Sequence, residues 1–240
     1  MLSAAPECPE VVGRLASIGS HQALAIVAEA PGKAVANQTE SCPREHNDQS
    51  RQGTYPPRIQ DEIATLGNHG VLNHTLLGKE IQNVLLEGEP IGEARLNALL
   101  CGHYGVPVAF LSGDTAACRE AQNVIGEDLP TYAVKDGIDM FTASCLHPEV
   151  TQKGIREGVA RALKAMAKTP RPPYRGKTPY RFGFEWNTTT IASTCALIPT
   201  VAKVNPRTTE FKTDNLPQAM GLILAKLFLA LQVGQKSIYG

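Results

Sequence analysis

The sequence predicts an α/β fold, a layered sheet with flanking helices, and three observations carry that reading. Val106 to Leu111 is a continuous apolar run of strand length, as a strand buried on both faces requires. A helix-start signal follows at Asp114, with a helix through about Val124 and a further strand-like run, Tyr132 to Lys135. Strand and helix signals alternate in this manner from Gly70 to the end of the chain.

The elements follow in order. Ile81 to Leu86 reads as a strand, closed by a turn at Glu87-Gly88-Glu89-Pro90. Glu93 to Cys101 is rich in Ala and Leu and reads as a helix ending at Gly102. Pro148 suits the first position of a long helix whose Ile155, Val159, Ala162, Leu163 and Met166 follow helical spacing. A Pro-rich joint, Pro170 to Pro173, leads to the strand Tyr180 to Trp186. Thr188 to Leu197 reads as a helix, Phe211-Lys212 lies in a short strand, and Leu216 to Leu231 is a strongly apolar terminal helix.

Residues 1–69 differ in character from 70–240, and the chain divides there into an atypical, partly irregular segment and an α/β domain. The first segment carries eight acidic and five basic residues and a polar stretch from Asn37 to Arg58 without apolar periodicity. Only Ala23 to Ala30 is apolar enough for a short buried element.

Bulk composition excludes several function classes. The 240 residues are 42% hydrophobic and 19% charged with zero net charge, so nothing global points to nucleic acid or an anionic membrane. Six scattered cysteines form no CxxC pair, which favours a reducing, cytoplasmic setting over a disulfide framework or a zinc finger. No basic segment with an apolar stretch opens the chain, and the Met220–Leu231 run is short for a bilayer span and interrupted by Lys226. Nine Lys or Arg against Glu157 alone in residues 151–181 read as a solvated face, not a nucleic-acid surface.

Two side chains stand out as candidates for chemistry. His74 follows a short apolar run, and imidazole is the natural proton carrier near neutral pH. Glu93 opens a helix after Gly92; its carboxylate is a hard oxygen ligand or base, although the positive end of the helix favours an acid there anyway. His103 sits at a helix end and complements its dipole, Asp114 is an N-cap, and His147 is a cap or surface residue. Glu45-His46-Asn47-Asp48 holds ligand-type residues in a polar loop without fixed geometry.

Several separated motifs share one order with a known family. Gly70-Val71-Leu72-Asn73-His74-Thr75, Pro90-Ile91-Gly92-Glu93, Leu96-Asn97-Ala98, Gly105-Val106-Pro107-Val108 and Gly113-Asp114 resemble the zinc-dependent D-aminopeptidases of bacteria and archaea. Ala133-Val134-Lys135, Ile198-Pro199 and Val204-Asn205-Pro206-Arg207-Thr208 agree, so the resemblance spans about residues 70–231. It implies an α/β metallopeptidase that cleaves short peptides, D-amino-acid peptides above all, in ring-like homo-oligomers. By the same resemblance His74 matches the catalytic histidine, Glu93 matches a metal ligand, and a two-zinc centre activates the attacking water.

Residues 1–69 depart from that pattern. They contain no Asp-x-Glu-Gly; His46 is followed by Asn47-Asp48 in the wrong order, and His69 lies only five residues before His74. Four of the five ligands that the resemblance implies therefore have no match, and zinc needs three or four. The N-terminal part of the family fold reads as missing or replaced, which would leave a sheet edge or apolar face uncovered. Two functions follow as expectations: a D-peptide-cleaving zinc aminopeptidase, or an inactive remnant that keeps the oligomerisation core without the metal site.

Overall fold

The computed structural model describes residues 70–235 and, by their backbone, the strands β1 (Ala23–Ala28) and β2 (Ala34–Ala36). The readings made on His46, His69, the Glu45–Asp48 cluster and the 37–58 polar stretch lie outside the described residues. From residue 70 the elements are β3 (Ile81–Leu86), β4 (Glu89–Pro90), α1 (Glu93–His103), β5 (Val108–Asp114), α2 (Thr115–Ile125), β6 (Thr131–Asp139) and β7 (Thr142–Cys145). They continue with α3 (Pro148–Lys168), β8 (Tyr180–Trp186), α4 (Thr189–Cys195), β9 (Ala202–Lys203), β10 (Thr208–Thr213) and α5 (Leu216–Gln235).

The strands form two sheets. In the first, ordered β2-β1-β5-β6-β7, β5 runs parallel to β6 and antiparallel to β1. The crossover through α2 supplies the helix that a parallel pair needs. All of β5 is buried, which is why its sequence is apolar without alternation. The β5 edge is occupied by β1, with Ala25 opposite Leu111. The apolar run at Ala23 is thus a strand on that edge, and backbone groups there find partners.

The second sheet, β4-β3-β8-β10-β9, is antiparallel throughout. The β3–β4 hairpin turns at Glu87 and Gly88, which both take positive φ, as a tight primed turn demands.

Two cores result. Phe182, Phe184, Trp186 and Phe211 of the second sheet pack against α1, α4 and α5. Trp186 and Phe184 stack at 5.5 Å between ring centroids, and the indole N–H donates to Thr209 Oγ1 at 2.8 Å. The other core joins α1 and α2 to β5 through Ala98, Val108, Leu111, Cys118 and Ala121. Helix α3 covers the opposite face of the first sheet, where Gly158 and Ala162 meet Phe110. His147 caps α3 by accepting from Glu149 N, as its place before Pro148 implies.

Helix α5 carries an unusual core residue. Lys226 is fully buried with its Nζ 3.8 Å from the centre of the Phe184 ring and near Trp186 and Phe211. By length and composition α5 could cross a bilayer, since Leu216–Val233 has a mean hydropathy of 1.6. The shorter span read from Met220–Leu231 is corrected to that extent. Leu216, Ala219, Ile223, Lys226 and Ala230 turn one stripe of the helix into the core, while Leu224 and Phe228 lie exposed on the other side.

Candidate functional site

The segment from Gly70 to Glu80 is a loop of turns feeding β3, and four anchors from elsewhere in the chain hold it. Val71 N donates to Asp114 Oδ2 at 2.9 Å. Leu72 N donates to Met140 O, at the tip of the β6–β7 hairpin, at 2.7 Å. Thr75 Oγ1 donates to Ile91 O at 3.4 Å, and Leu76 N donates to Glu93 Oε1 at 3.0 Å. Leu72 and Leu76 take positive φ of 52° and 66°, which non-glycine residues adopt only when their surroundings impose it.

His74 sits between those two strained residues, half-buried. Its Nδ1 lies 2.5 Å from Leu72 O. Gly78 leaves the room for this imidazole, because a Cβ there would stand 2.8 Å from His74 Cβ. Glu93 opens α1, only 7% exposed, where the helix dipole favours its negative charge. The structure thus brings the two sequence-predicted residues to one loop: Glu93 grips the backbone two residues after His74.

Asp114 proves to have more than the capping role read from the sequence. One carboxylate oxygen accepts from Ala117 N at 2.7 Å and starts α2, while the other holds Val71. Glu120, also buried, packs its carboxylate against Gly92, where any Cβ would collide with it. Asp114, Met140, Gly78 and Glu120 were not legible as parts of this site. The motif Gly113-Asp114 was the one sequence signal close to them. His103 is exposed in the last turn of α1, in keeping with a dipole-complementing role.

A zinc centre needs three or four donors around one point. Among the described residues, no group of three or more His, Cys, Asp or Glu side chains could hold a metal ion. Glu93 with His74 therefore does not fit such a centre by itself. Burial pushes Cys118 and Cys195 up to about 11, as it does for thiols seated in an apolar core.

A family model described as D-aminopeptidase matches residues 64–225, more than half of the chain and both candidate residues. The chain belongs to the D-aminopeptidase family. A D-aminopeptidase of Bacillus subtilis (strain 168) is 30% identical over 170 residues, covering 68% of this chain and 58% of that protein. The chain thus spans less than two thirds of the length of this curated family relative. A solved family structure is that of the Zn-dependent D-aminopeptidase DppA from Bacillus subtilis, described as a self-compartmentalizing protease. It superposes with a TM-score of 0.64 at 22% identity over 88% of this chain and 74% of its own, a likeness of fold.

Proposed function

We propose that this D-aminopeptidase-family chain is an aminopeptidase acting on short peptides, D-amino-acid peptides foremost, with His74 as its catalytic side chain. The observation that carries the reading is the family match over 64–225, together with a loop that ties His74 to Glu93 through Leu76. In this reading His74 moves the proton that peptide hydrolysis requires, and Glu93 serves as a metal ligand. Zinc is the proposed cofactor, after the zinc dependence of DppA. It would draw its further donors from outside the described residues or from a second copy.

The proposal extends to setting and assembly. Among the described residues Cys101, Cys118 and Cys195 are free thiols, which supports a cytoplasmic chain. The exposed side of α5, with Leu224 and Phe228, supports a homo-oligomer, as does the self-compartmentalizing character of DppA.

One observation favours a second reading, an inactive remnant that keeps the oligomerisation core: no ligand group gathers among the described residues. Zinc content after dialysis in metal-free buffer, with hydrolysis of short D-peptides, separates the two. About two zinc ions per chain and activity lost in His74→Ala support the enzyme. Full activity in His74→Ala overturns the role of His74, and neither zinc nor hydrolysis leaves the remnant.

A further inference from the structure

We propose that Leu72 is the positioning residue for His74, and that it holds the imidazole as the Nδ1–H tautomer with Nε2 as the working nitrogen. The inference rests on the reading of His74 as catalytic. A carbonyl oxygen can only accept, so the 2.5 Å contact between His74 Nδ1 and Leu72 O requires the proton on Nδ1. In the neutral ring the other nitrogen then keeps its lone pair.

That carbonyl is aimed by backbone geometry. Leu72 has φ of 52°, and its N–H is fastened to Met140 O at 2.7 Å. The hairpin tip therefore clamps Leu72 on one side while His74 is held on the other. A leucine bears a left-handed conformation only when its surroundings over-determine it, and such strain gathers at sites that need a fixed geometry. Gly78 closes the ring in from behind, with no side chain to push Cβ of His74 away. The hairpin, distant in sequence, becomes part of the apparatus that orients the histidine.

Nitrogen-15 NMR of the full chain with labelled histidine tests this at a pH about two units above the ordinary histidine pKa of about 6.5. The His74 signals are identified by their loss in His74→Ala. A protonated Nδ1 and an unprotonated Nε2 are expected; the opposite tautomer overturns the proposal. Kinetics on a short D-peptide add Leu72→Asn, which tolerates the left-handed region, and Leu72→Val, which resists it. Leu72→Val should lower kcat about tenfold with KM nearly unchanged, while Leu72→Asn keeps both. An unchanged kcat and tautomer in Leu72→Val overturn the positioning role. The expected tautomer in a wild type that hydrolyses nothing supports the clamp and overturns the peptidase reading, so the two failures are distinct.

Discussion

An ammonium without a hydrogen-bond partner is costly in an apolar core, and Lys226 meets that cost with the faces of Phe184, Trp186 and Phe211. Burial still pushes its amine down to about 7, and the thiol of Cys195 is the titratable group beside it. An unfolded chain holds this proton up to about 10.4. Between those values the unfolded state binds the Lys226 proton and the native one does not, so the contribution of Lys226 to stability rises with pH across that window and is lowest below it. The urea midpoint of the wild type should therefore climb from about pH 7 to about pH 8, below the range where the buried Cys118 and Cys195 thiols, pushed up to about 11, begin to oppose it. Lys226→Met should raise the midpoint at neutral pH and flatten the climb; a wild-type midpoint that falls over this range would contradict the assignment. Asp114 offers a second test at the same scale. Its removal in Asp114→Ala takes away a helix cap and the partner of a loop N–H, so a loss of about 2 kcal/mol or more is expected in urea unfolding. The cap was legible because it is local; the grip on Val71, 43 residues away, had no signal in the sequence.

At the scale of elements, strong apolar periodicity or a clear cap was enough to place a helix or strand. The span Tyr180 to Trp186 is β8, and Pro148 opens α3. The strand read at Phe211-Lys212 extends over Thr208–Thr213, because its threonines satisfy a ladder without announcing burial. The run Tyr132 to Lys135 grows into the longer β6, and β7 was missed altogether. Both are mostly half-buried or exposed, so neither carries the alternation that marks a strand with one face in a core. Packing decides what two glycines do. In α3 a Cβ on Gly158 would stand 2.5 Å from Phe110, whereas nothing lies within 4 Å of Gly221 in α5. Gly158→Ala should lower the melting temperature, since overpacking of about 1–3 kcal/mol outweighs the gain in helix propensity. Gly221→Ala should raise stability by about 0.5–1 kcal/mol. Equal and opposite results would reverse the placement of α3 on the first sheet.

At the scale of the molecule, the alternation of strands and helices pointed to the fold class, but the division into two sheets was not legible. Nothing local in β3, β8 or β10 tells which neighbour each will pair with, since pairing is settled by contacts far apart in sequence. The same limit applies to the candidate site, where motif pointed to His74 and Glu93 and only the structure shows what holds them. Leu224 and Phe228 are 52% and 60% exposed on α5, and in the proposed homo-oligomer they are the surface offered for self-association. Phe228→Glu should shift the chain to smaller species in sedimentation velocity, while an unchanged distribution would remove α5 from the contact. The separate cores carry one more consequence. Trp186 is the only tryptophan in the sequence, and it is sealed between Phe184 and Thr209 in the core of the second sheet. Its fluorescence is therefore a private reporter: red-shifted emission on denaturation records the melting of that sheet, blind to the sheet that contains β5. Circular dichroism averages over both, so a gap between the two unfolding curves would reveal a native chain that comes apart in halves.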